Sequence, residues 1–577
     1  MAQREWPRTL FVSLAILTSC TGQAQWVFEG DTSATWQQAI HRYAFLDSIH
    51  GGAKLTTIGH DDDGHPIHLF ILSDGSGFTP DSIRAAGKNI LWVTNGIHPG
   101  EPDGIDASLM LAQALLESDQ LMGVLVNTAV CIVPVYNVSG SLNRGSFSRA
   151  NQNGPREYGF RGNAKYLDLN RDFMKMDSEN AHTLVAALTA WDPDIYFETH
   201  VSDGADHQYI MALMATQKDK LAKPLGDFMT GTLIPGQYEW MQRKNLLMCP
   251  YFETTGAVPE DGLQGFNDSP RYSTGHAALF NRIGIVSESH VLKPFADRVN
   301  ATFQLLMGTL AVMDQQPEEL RAARAAAQQA TATAAEFGLN WRLDTMAVES
   351  LPWKGYAALT ERSRVTGLPR IRYDRGKPTE TTVPWRNSYV PSLKVAKPKA
   401  YIVPGQWREV IQRLRLNGVH MEAMAHDTVL TVEQDSMGAF ATVPMAYEGH
   451  YLHRNIHVVR KRIRSTVHAG DVRIPMGRPT DRYVVEALES RSDDGFFAWN
   501  FFDAVLQQKE WFDSYVFEDQ AARLLADNPV LDAEFRRKQV FDPSFAKDEE
   551  AQLLWIYRHS PWMEPGYRKY PVQREVE

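Results

Sequence analysis

The sequence predicts an α/β protein: a mixed, mostly parallel central sheet flanked by helices, followed by a smaller mixed α/β domain. The first observation is that short apolar runs alternate with segments of helical period between about residues 35 and 315, a pattern typical of a sheet covered by helices. The second is a change beyond about residue 340, where alternating apolar and polar residues indicate β structure. The third is the length of 577 residues, which exceeds one compact core and predicts two or three domains.

Four apolar runs predict the inner strands of the central sheet. Each run is short and bounded by turn residues, as buried strands of such sheets usually are. The runs are Asn89–Thr94, Ala129–Val135, Asp194–Thr199 and Gly284–Ser287. Between the first two runs, the spacing of apolar residues from Asp106 to Leu116 predicts a helix.

A polar, alanine-rich stretch marks the end of the first domain. The first domain is predicted over residues 35–315, a helical linker over 316–340 and a C-terminal mixed α/β domain over 341–577. Within the C-terminal domain, helical spacing predicts helices at Trp407–Leu416, Asp519–Leu525 and Glu549–Tyr557.

Residues 1–25 have the layout of a secretory signal peptide. Arg4 and Arg8 precede the apolar run Leu10–Leu17, and Gly22-Gln23-Ala24 offers a cleavage site. An alternative is a lipoprotein signal, because the residues that end in Cys20 resemble a lipobox, which would anchor the protein by a lipid. Both interpretations predict a secreted or periplasmic protein. No later stretch is long and apolar enough to predict a transmembrane segment.

Composition excludes several classes of protein. There are 58 basic and 69 acidic residues, and the resulting net charge of −11 argues against nucleic acid as a partner. Three cysteines in a chain of this length exclude a disulfide scaffold and a cysteine-rich zinc module.

A histidine and a glutamate three residues apart indicate a metal site. His98 and Glu101 come directly after a predicted strand and before a predicted helix. Imidazole nitrogen and carboxylate oxygen are both good zinc ligands, and a catalytic zinc takes three protein ligands. The third candidate is His200, at the end of another predicted strand, where sites collect in open α/β sheets. His207, in the following loop, is the alternative.

Several arginines are candidates for binding negative charge. Asn170 and Arg171 stand side by side in an apolar frame, and a guanidinium holds a carboxylate in bidentate fashion. Upstream, Arg144 and Arg149 lie in a turn-rich stretch, where a guanidinium can face a developing oxyanion.

The order His98-x-x-Glu101, Asn170-Arg171, His200 and a late glutamate resembles the zinc carboxypeptidases, the funnelin metallopeptidases, over about residues 40 to 310. The resemblance implies a zinc carboxypeptidase-like fold and one zinc ion per chain, held by His98, Glu101 and His200. It also implies that Asn170 and Arg171 bind the terminal carboxylate of the substrate.

The same resemblance implies the remaining catalytic roles. Arg149 matches the arginine that polarises the scissile carbonyl, with Arg144 as the alternative. Glu288, inside the apolar run from residue 283 to 290, matches the general base. Tyr272 falls where the family places a tyrosine that closes over the substrate, and Tyr251 is the alternative.

These features together predict a secreted zinc-dependent metallocarboxypeptidase that acts on peptide or protein C-termini. A zinc ion lowers the pKa of a bound water to about 7, and Glu288 is expected to move the proton from that water to the leaving amine. Two alternatives are a zinc-dependent deacylase of the same superfamily, which cleaves small N-acyl amino acids, and a non-catalytic binding protein with a degenerate site.

Overall fold

The four predicted inner strands lie next to one another in the computed structural model, which describes residues 30–576. The strands up to residue 290 are β1 Ala53–His60, β2 Pro66–Leu72, β3 Asn89–Thr94, β4 Thr128–Val133, β5 Ile195–Ser202, β6 Met211–Ala215, β7 Met248–Pro250, β8 Glu253–Thr254, β9 Leu263–Gln264 and β10 Ile283–His290. The central sheet has the order β1-β2-β4-β3-β5-β10-β6-β7. Its centre, β4-β3-β5-β10, is parallel throughout, so the prediction of a mixed, mostly parallel sheet is confirmed.

Helices cover both faces of this sheet. They are α1 Trp36–Ile49, α2 Pro80–Ala85, α3 Asp103–Glu117, α4 Asp119–Met122, α5 Val138–Leu142, α6 Glu179–Trp191, α7 Lys223–Phe228, α8 Ile234–Arg243, α9 Ser273–Leu279, α10 Phe295–Gln315 and α11 Pro317–Thr333. Alternate residues of β3 enter two separate cores, because successive side chains of a strand point to opposite faces. Leu91 and Val93 join the core formed with α3 and α10, whereas Ile90 and Trp92 join the core formed with α6.

Further strands continue the first part of the molecule beyond the predicted linker. These strands are β11 Glu336–Leu343, β12 Glu349–Arg362, β13 Pro369–Arg386 and β14 Tyr389–Ala396. β11 pairs with β14, and β12 and β13 form a long antiparallel hairpin. Trp385 of β13 also pairs in parallel with Leu263 of β9. The hairpin therefore extends a small sheet that starts within the predicted catalytic domain.

The described residues form two compact units. The first runs to Lys397 and includes residues 412–420 and 476–487, and the second comprises the remaining residues from Pro398 onward. This grouping differs from the predicted boundary at residues 316–340, because strand pairing between β9 and β13 keeps the hairpin with the first unit. The domain bounds 35–315, 316–340 and 341–577 stay predictions.

Mixed α/β structure follows Lys397, as predicted. The elements are β15 Ala400–Val403, α12 Arg408–Leu416, β16 Glu422–Ala423, β17 Thr428–Met437, β18 Ala441–Thr442, β19 His453–Arg454, β20 Val458–Val467, β21 Val472–Pro475, α13 Asp481–Leu488, α14 Ser514–Asp527, α15 Pro529–Phe541, α16 Glu549–Arg558 and β22 Gln573–Glu575. One sheet has the order β16-β21-β15-β22-β17-β20. Helices α14 to α16 share a small core that contains Phe517, Phe535 and Leu553.

The predicted signal peptide and Cys20 lie outside the described residues. Between residues 30 and 576, no single helix is long and apolar enough to cross a bilayer. One pair of helices, Asp103–Glu117 and Asp119–Val126, meets the length and composition test jointly but is bent by 95°.

Candidate active site

Two imidazoles and one carboxylate converge at the carboxyl end of the parallel strands. His98 follows β3, Glu101 precedes α3 and His200 lies in β5, and all three side chains are buried. The two Nδ1 atoms are 3.1 Å apart, and Glu101 Oε2 is 3.0 Å from His200 Nδ1 and 3.5 Å from His98 Nδ1. Tetrahedral ligands about 2.0–2.1 Å from a zinc ion are about 3.3 Å from one another. The size and chemistry of this triangle therefore fit zinc, and these residues form a candidate metal group.

A carboxylate binds the outer nitrogen of each histidine. His98 Nε2 is 2.8 Å from Asp168 Oδ1, and His200 Nε2 is 3.0 Å from Glu198 Oε2. Glu198 is fixed in turn by the hydroxyl groups of Tyr196 and Ser273, which donate to it at 2.9 and 2.7 Å. When a metal is bound, such carboxylates would keep the proton on Nε2 and leave the lone pair of Nδ1 to face the triangle.

Positive charge surrounds the Glu101 carboxylate. Its Oε1 accepts hydrogen bonds from Arg149 at 2.8 Å and from Arg161 at 3.3 Å, and its Oε2 accepts one from the Val201 amide at 3.0 Å. Burial acts to raise the pKa of Glu101, but the charges of His98 and Arg149 hold that pKa well below its ordinary value. The carboxylate is therefore ionised and ready to bind a cation.

Close contact between α3 and β5 brings Glu101 to His200. Gly104, in the first turn of α3, packs directly against Thr199, the residue before His200. A Cβ atom at Gly104 would lie 1.9 Å from Thr199 Oγ1 and 2.6 Å from Asn95 Oδ1. Only glycine permits this separation between the helix and the strand.

Gly104→Ala should therefore lower zinc affinity by about 10–100-fold, the usual effect of disturbing the residues behind a metal ligand. The added methyl group pushes the start of α3 away from β5 and so separates Glu101 from His200. Competition with a chelator measures the affinity. Gly231→Ala is the matched control, because nothing lies within 4 Å of a Cβ at that position. Equal zinc affinity in both variants would contradict this account.

A buried ion pair ties the segment that carries Glu101 to the segment that carries Glu288. Arg298 donates to both carboxylate oxygens of Asp103, at 2.9 and 3.2 Å. Asp103 also accepts a hydrogen bond from the Ser289 hydroxyl. Because Asp103 and Ser289 adjoin these two segments, the network fixes the start of α3 relative to the end of β10.

The triangle opens into a cavity of about 290 Å³. It brings together all of the first-choice site residues predicted from the sequence. The lining is His98, Glu101, Arg149, Arg161, Asn170, Arg171, His200, Val201, Ser202, Asp203, Met214, Tyr251, Phe266, Tyr272, Ser273, Thr274, Val286 and Glu288. Arg144, the alternative arginine, is not in this lining, and its guanidinium donates to the Ser33 carbonyl at 2.8 Å.

Glu288 lies in β10, directly beside His200 in the register of the parallel strands. Burial raises the pKa of Glu288 to about 8, and the negative charge of Glu101 adds to that rise, whereas His200 and Arg161 oppose it. A cation in the triangle would lower the pKa again. The ionisation of this buried carboxyl group therefore depends on the charge held in the triangle.

Arg161 is a cavity residue that the sequence did not reveal. It donates to Asp168 at 2.9 Å and to Glu101 at 3.3 Å, so it contacts both a metal ligand and the partner of another. An arginine in a turn-rich loop is usually a surface charge. No pattern in the sequence distinguished Arg161 from such a surface arginine. The path of the loop between α5 and α6 brings its side chain to the cavity.

Both candidate tyrosines line the cavity. The ring of Tyr272 lies under the Arg171 guanidinium, 4.6 Å away, and contacts the Phe266 ring edge-on at 5.0 Å. Tyr251 also contacts the Phe266 ring edge-on, with the ring centroids 6.1 Å apart. Burial and the nearby charge of Glu288 raise the pKa of Tyr251. Position alone therefore leaves the choice between Tyr272 and Tyr251 open.

His207, the alternative third ligand, lies in an aromatic cluster instead. Its ring contacts Trp353 at 5.5 Å and His290 at 4.4 Å. Burial lowers the pKa of His207 well below its ordinary value, which makes it a neutral core histidine. The structure favours His200 as the ligand.

Two imidazoles and one carboxylate are a ligand set that single catalytic zinc sites use. Residues 44–262 match the family model for zinc carboxypeptidase. Over these residues the family resemblance seen in the motifs is confirmed. The matched residues include the triangle, Asn170 and Arg171, whereas Glu288 and Tyr272 lie beyond them.

Solved structures of carboxypeptidases are also similar to the chain. A metallo-carboxypeptidase from Burkholderia cenocepacia is 16% identical, with 49% of this chain and 69% of that chain covered and a TM-score of 0.37. A metallo-carboxypeptidase from Pseudomonas aeruginosa, in complex with (2-guanidinoethylmercapto)succinic acid, is 14% identical, with 50% and 70% covered and a TM-score of 0.38. Carboxypeptidase A from Helicoverpa armigera is 14% identical, with 52% and 75% covered and a TM-score of 0.37. No curated protein matches the chain.

Proposed function

We propose that this protein is a secreted metallocarboxypeptidase that removes single residues from the C-terminus of peptides or proteins. The observation that carries the proposal is the combination, in one cavity of about 290 Å³, of the zinc-sized triangle, a buried glutamate and three arginines. Metal ligands and a proton acceptor are the parts needed for amide hydrolysis. The arginines supply the charge that selects a free carboxylate.

The residues of the site have distinct roles in this proposal. A zinc ion held by His98, Glu101 and His200 would polarise the scissile carbonyl and acidify water. The Glu288 carboxylate takes a proton from the attacking water and returns it to the departing amine nitrogen. Asp168 and Glu198 keep both histidines oriented through their Nε2 atoms.

Asn170 and Arg171 hold the terminal carboxylate of the substrate. The Arg171 guanidinium is stacked on Tyr272, which fixes its plane for bidentate binding. Asn170 Nδ2 stands 3.4 Å from His200 Nε2, while Asn170 Oδ1 is buried without a hydrogen-bond partner among the described residues. Turning the amide over places Oδ1 beside the Nε2–H of His200 and frees the Nδ2–H to donate to the substrate.

The exposed fractions of Arg149 and Arg161 distinguish the roles that we propose for them. Arg149 is 19% exposed and donates to Gln152, Glu101 and the Val201 carbonyl. Arg161 is 45% exposed beside the same ligand. We therefore assign the scissile carbonyl to Arg161 and the orientation of Glu101 to Arg149, which revises the role predicted for Arg149 from the sequence.

Substituting each arginine by glutamine separates these two roles. Arg161→Gln should lower kcat by about 10²–10³, the effect of removing one donor to an oxyanion, with zinc affinity nearly unchanged. Arg149→Gln should lower zinc affinity first. Steady-state kinetics at saturating zinc and chelator competition read the two effects separately. The reverse pattern would restore the carbonyl role to Arg149.

Blocking the substrate carboxylate tests exopeptidase specificity. Amidation of the peptide C-terminus should lower kcat/KM at least a hundredfold, because charge-assisted hydrogen bonds contribute about 1.5–3 kcal/mol each and about 1.4 kcal/mol corresponds to a factor of ten. Arg171→Ala should erase most of this discrimination with zinc still bound. Arg156→Ala, which changes an exposed arginine outside the cavity, is the control.

Mass spectrometry of a digested peptide library reports the cut positions directly. Successive loss of single C-terminal residues supports the proposal. Internal cuts would exclude an exopeptidase, and cleavage confined to N-acyl amino acids would identify a deacylase. Absence of any hydrolysis by the zinc-loaded protein would favour a binding protein.

Secretion is part of the proposal and rests on residues 1–25 alone. Mass spectrometry of the mature protein distinguishes simple signal-peptide cleavage from lipoprotein processing. A free N-terminus just after Ala24 indicates simple cleavage, whereas a lipid-modified Cys20 indicates an anchored lipoprotein. An intact residue 1 would refute both.

A further inference from the structure

The outer half of the β12–β13 hairpin projects from the first unit without burying any side chain. At the inner half, Trp353, Val383 and Trp385 are buried in a common core. Beyond a shift in register after Tyr356, none of the residues 357–374 is buried. This two-stranded segment, residues 357–374, is called the arm below. A hairpin alone is marginally stable in water, so an arm of this kind is suited to contact another surface.

The tip of the arm combines exposed apolar side chains with positive charge. Val365 is 94% exposed and Leu368 is 64% exposed. Residues 361–372 contain four arginines and one glutamate, a net charge of +3 in a chain whose net charge is −11. The tip therefore carries positive charge in a protein whose net charge is negative.

The two faces of the arm differ in chemistry. Residues paired directly across antiparallel strands point to the same face. Glu361 pairs with Arg370, and Arg372 donates to Glu361 at 3.1 Å, so one face is charged. Ala358 pairs with Tyr373, Thr360 with Ile371 and Arg362 with Pro369 on the opposite face, which is less charged. The exposed apolar side chains Val365 and Leu368 lie at the tip, between the two strands.

We propose that the tip of the arm binds the surface of an anionic lipid bilayer. Val365 and Leu368 enter the headgroup region, where apolar side chains gain burial, and the surrounding arginines pair with anionic headgroups. The tip has six residues, 363–368, whereas a stable protein interface uses roughly 20–30 residues from each partner. A bilayer needs no complementary shape, so a small apolar tip with arginines fits a lipid surface better than a folded partner.

Vesicle flotation of the full chain tests this proposal. The protein should float with vesicles of equimolar phosphatidylcholine and phosphatidylglycerol, and not with phosphatidylcholine alone, and high salt should weaken the binding. Val365→Ser combined with Leu368→Ser should weaken binding at least tenfold. Arg362→Gln combined with Arg364→Gln should also weaken binding at least tenfold, equivalent to about 1.4 kcal/mol.

Two control variants make the experiment specific to the arm. Met346→Ser removes an apolar side chain that is equally exposed but lies before β12, and Arg156→Gln removes an exposed charge on another loop. Both should bind vesicles like the unaltered protein, and thermal melting verifies that all variants are folded. No binding to anionic vesicles, equal binding to neutral ones, or binding that the arm variants leave unchanged would overturn the proposal. A shift in oligomeric state caused by the arm variants would identify the arm as a contact between copies of this chain instead.

Discussion

Replacing His98 and His200 together by alanine should reduce the zinc content of the purified protein from about one ion per chain to background, and should abolish peptide hydrolysis. The two imidazole nitrogens, 3.1 Å apart, supply two of the three ligands. A zinc site with one remaining carboxylate cannot retain the ion against a chelator. Metal analysis by mass spectrometry and an assay of the zinc-loaded protein measure the two effects.

A histidine outside the site is the control for this experiment. His41 is exposed on α1, so His41→Ala should keep both zinc and activity. Full zinc retention by the double variant would show that the metal binds elsewhere. Loss of zinc with normal hydrolysis would show that the metal is not catalytic.

Glu288→Gln should keep zinc bound while kcat falls by about two to four orders of magnitude, the usual contribution of general acid–base catalysis. Glutamine preserves the shape of the buried side chain but cannot accept a proton. The residue lies on β10 and is not a member of the triangle, so the metal site should remain intact. Pre-steady-state kinetics on the zinc-loaded variant isolate the chemical step.

Glu253→Gln is a matched control, since Glu253 is exposed on β8 and accepts a hydrogen bond from Gln264. This variant should retain normal kcat. If Glu288→Gln were equally active, another carboxylate would be the base. Glu198 is the next candidate by proximity, but its hydrogen bonds to His200, Tyr196 and Ser273 already hold it as an orienting group.

These two experiments separate metal binding from proton transfer. Loss of His98 and His200 removes the ion, whereas loss of Glu288 leaves it in place. Together with the amidated peptides, they distinguish an intact peptidase from a degenerate binding protein. A protein that binds zinc but shows no change with Glu288→Gln and no preference for a free carboxylate would fit the binding protein.

Local pattern in the sequence was sufficient for four inner strands of the central sheet, and the family resemblance added the candidate metal ligands beside them. The apolar runs that became β3, β4, β5 and β10 are buried on both faces, so their composition alone marks them as inner strands. His98, Glu101 and His200 follow or end such strands, and parallel strands bring their carboxyl ends to one edge. The short distance between motif and strand is the reason that these residues were predictable.

Only the tertiary structure decided that Arg161 reaches the cavity, where the first unit ends and what Gly104 does. Arg161 occupies a long loop whose path depends on long-range packing, so its sequence neighbours did not distinguish it from a surface arginine, whereas Arg149 was already a candidate. The pairing of Leu263 with Trp385 and the contact of Gly104 with Thr199 each join residues about a hundred positions apart. Periodicity reports which face of an element is buried, but not which other element covers it. That choice is made by long-range packing, which brings Arg161 to the cavity and keeps the β12–β13 hairpin with the first unit.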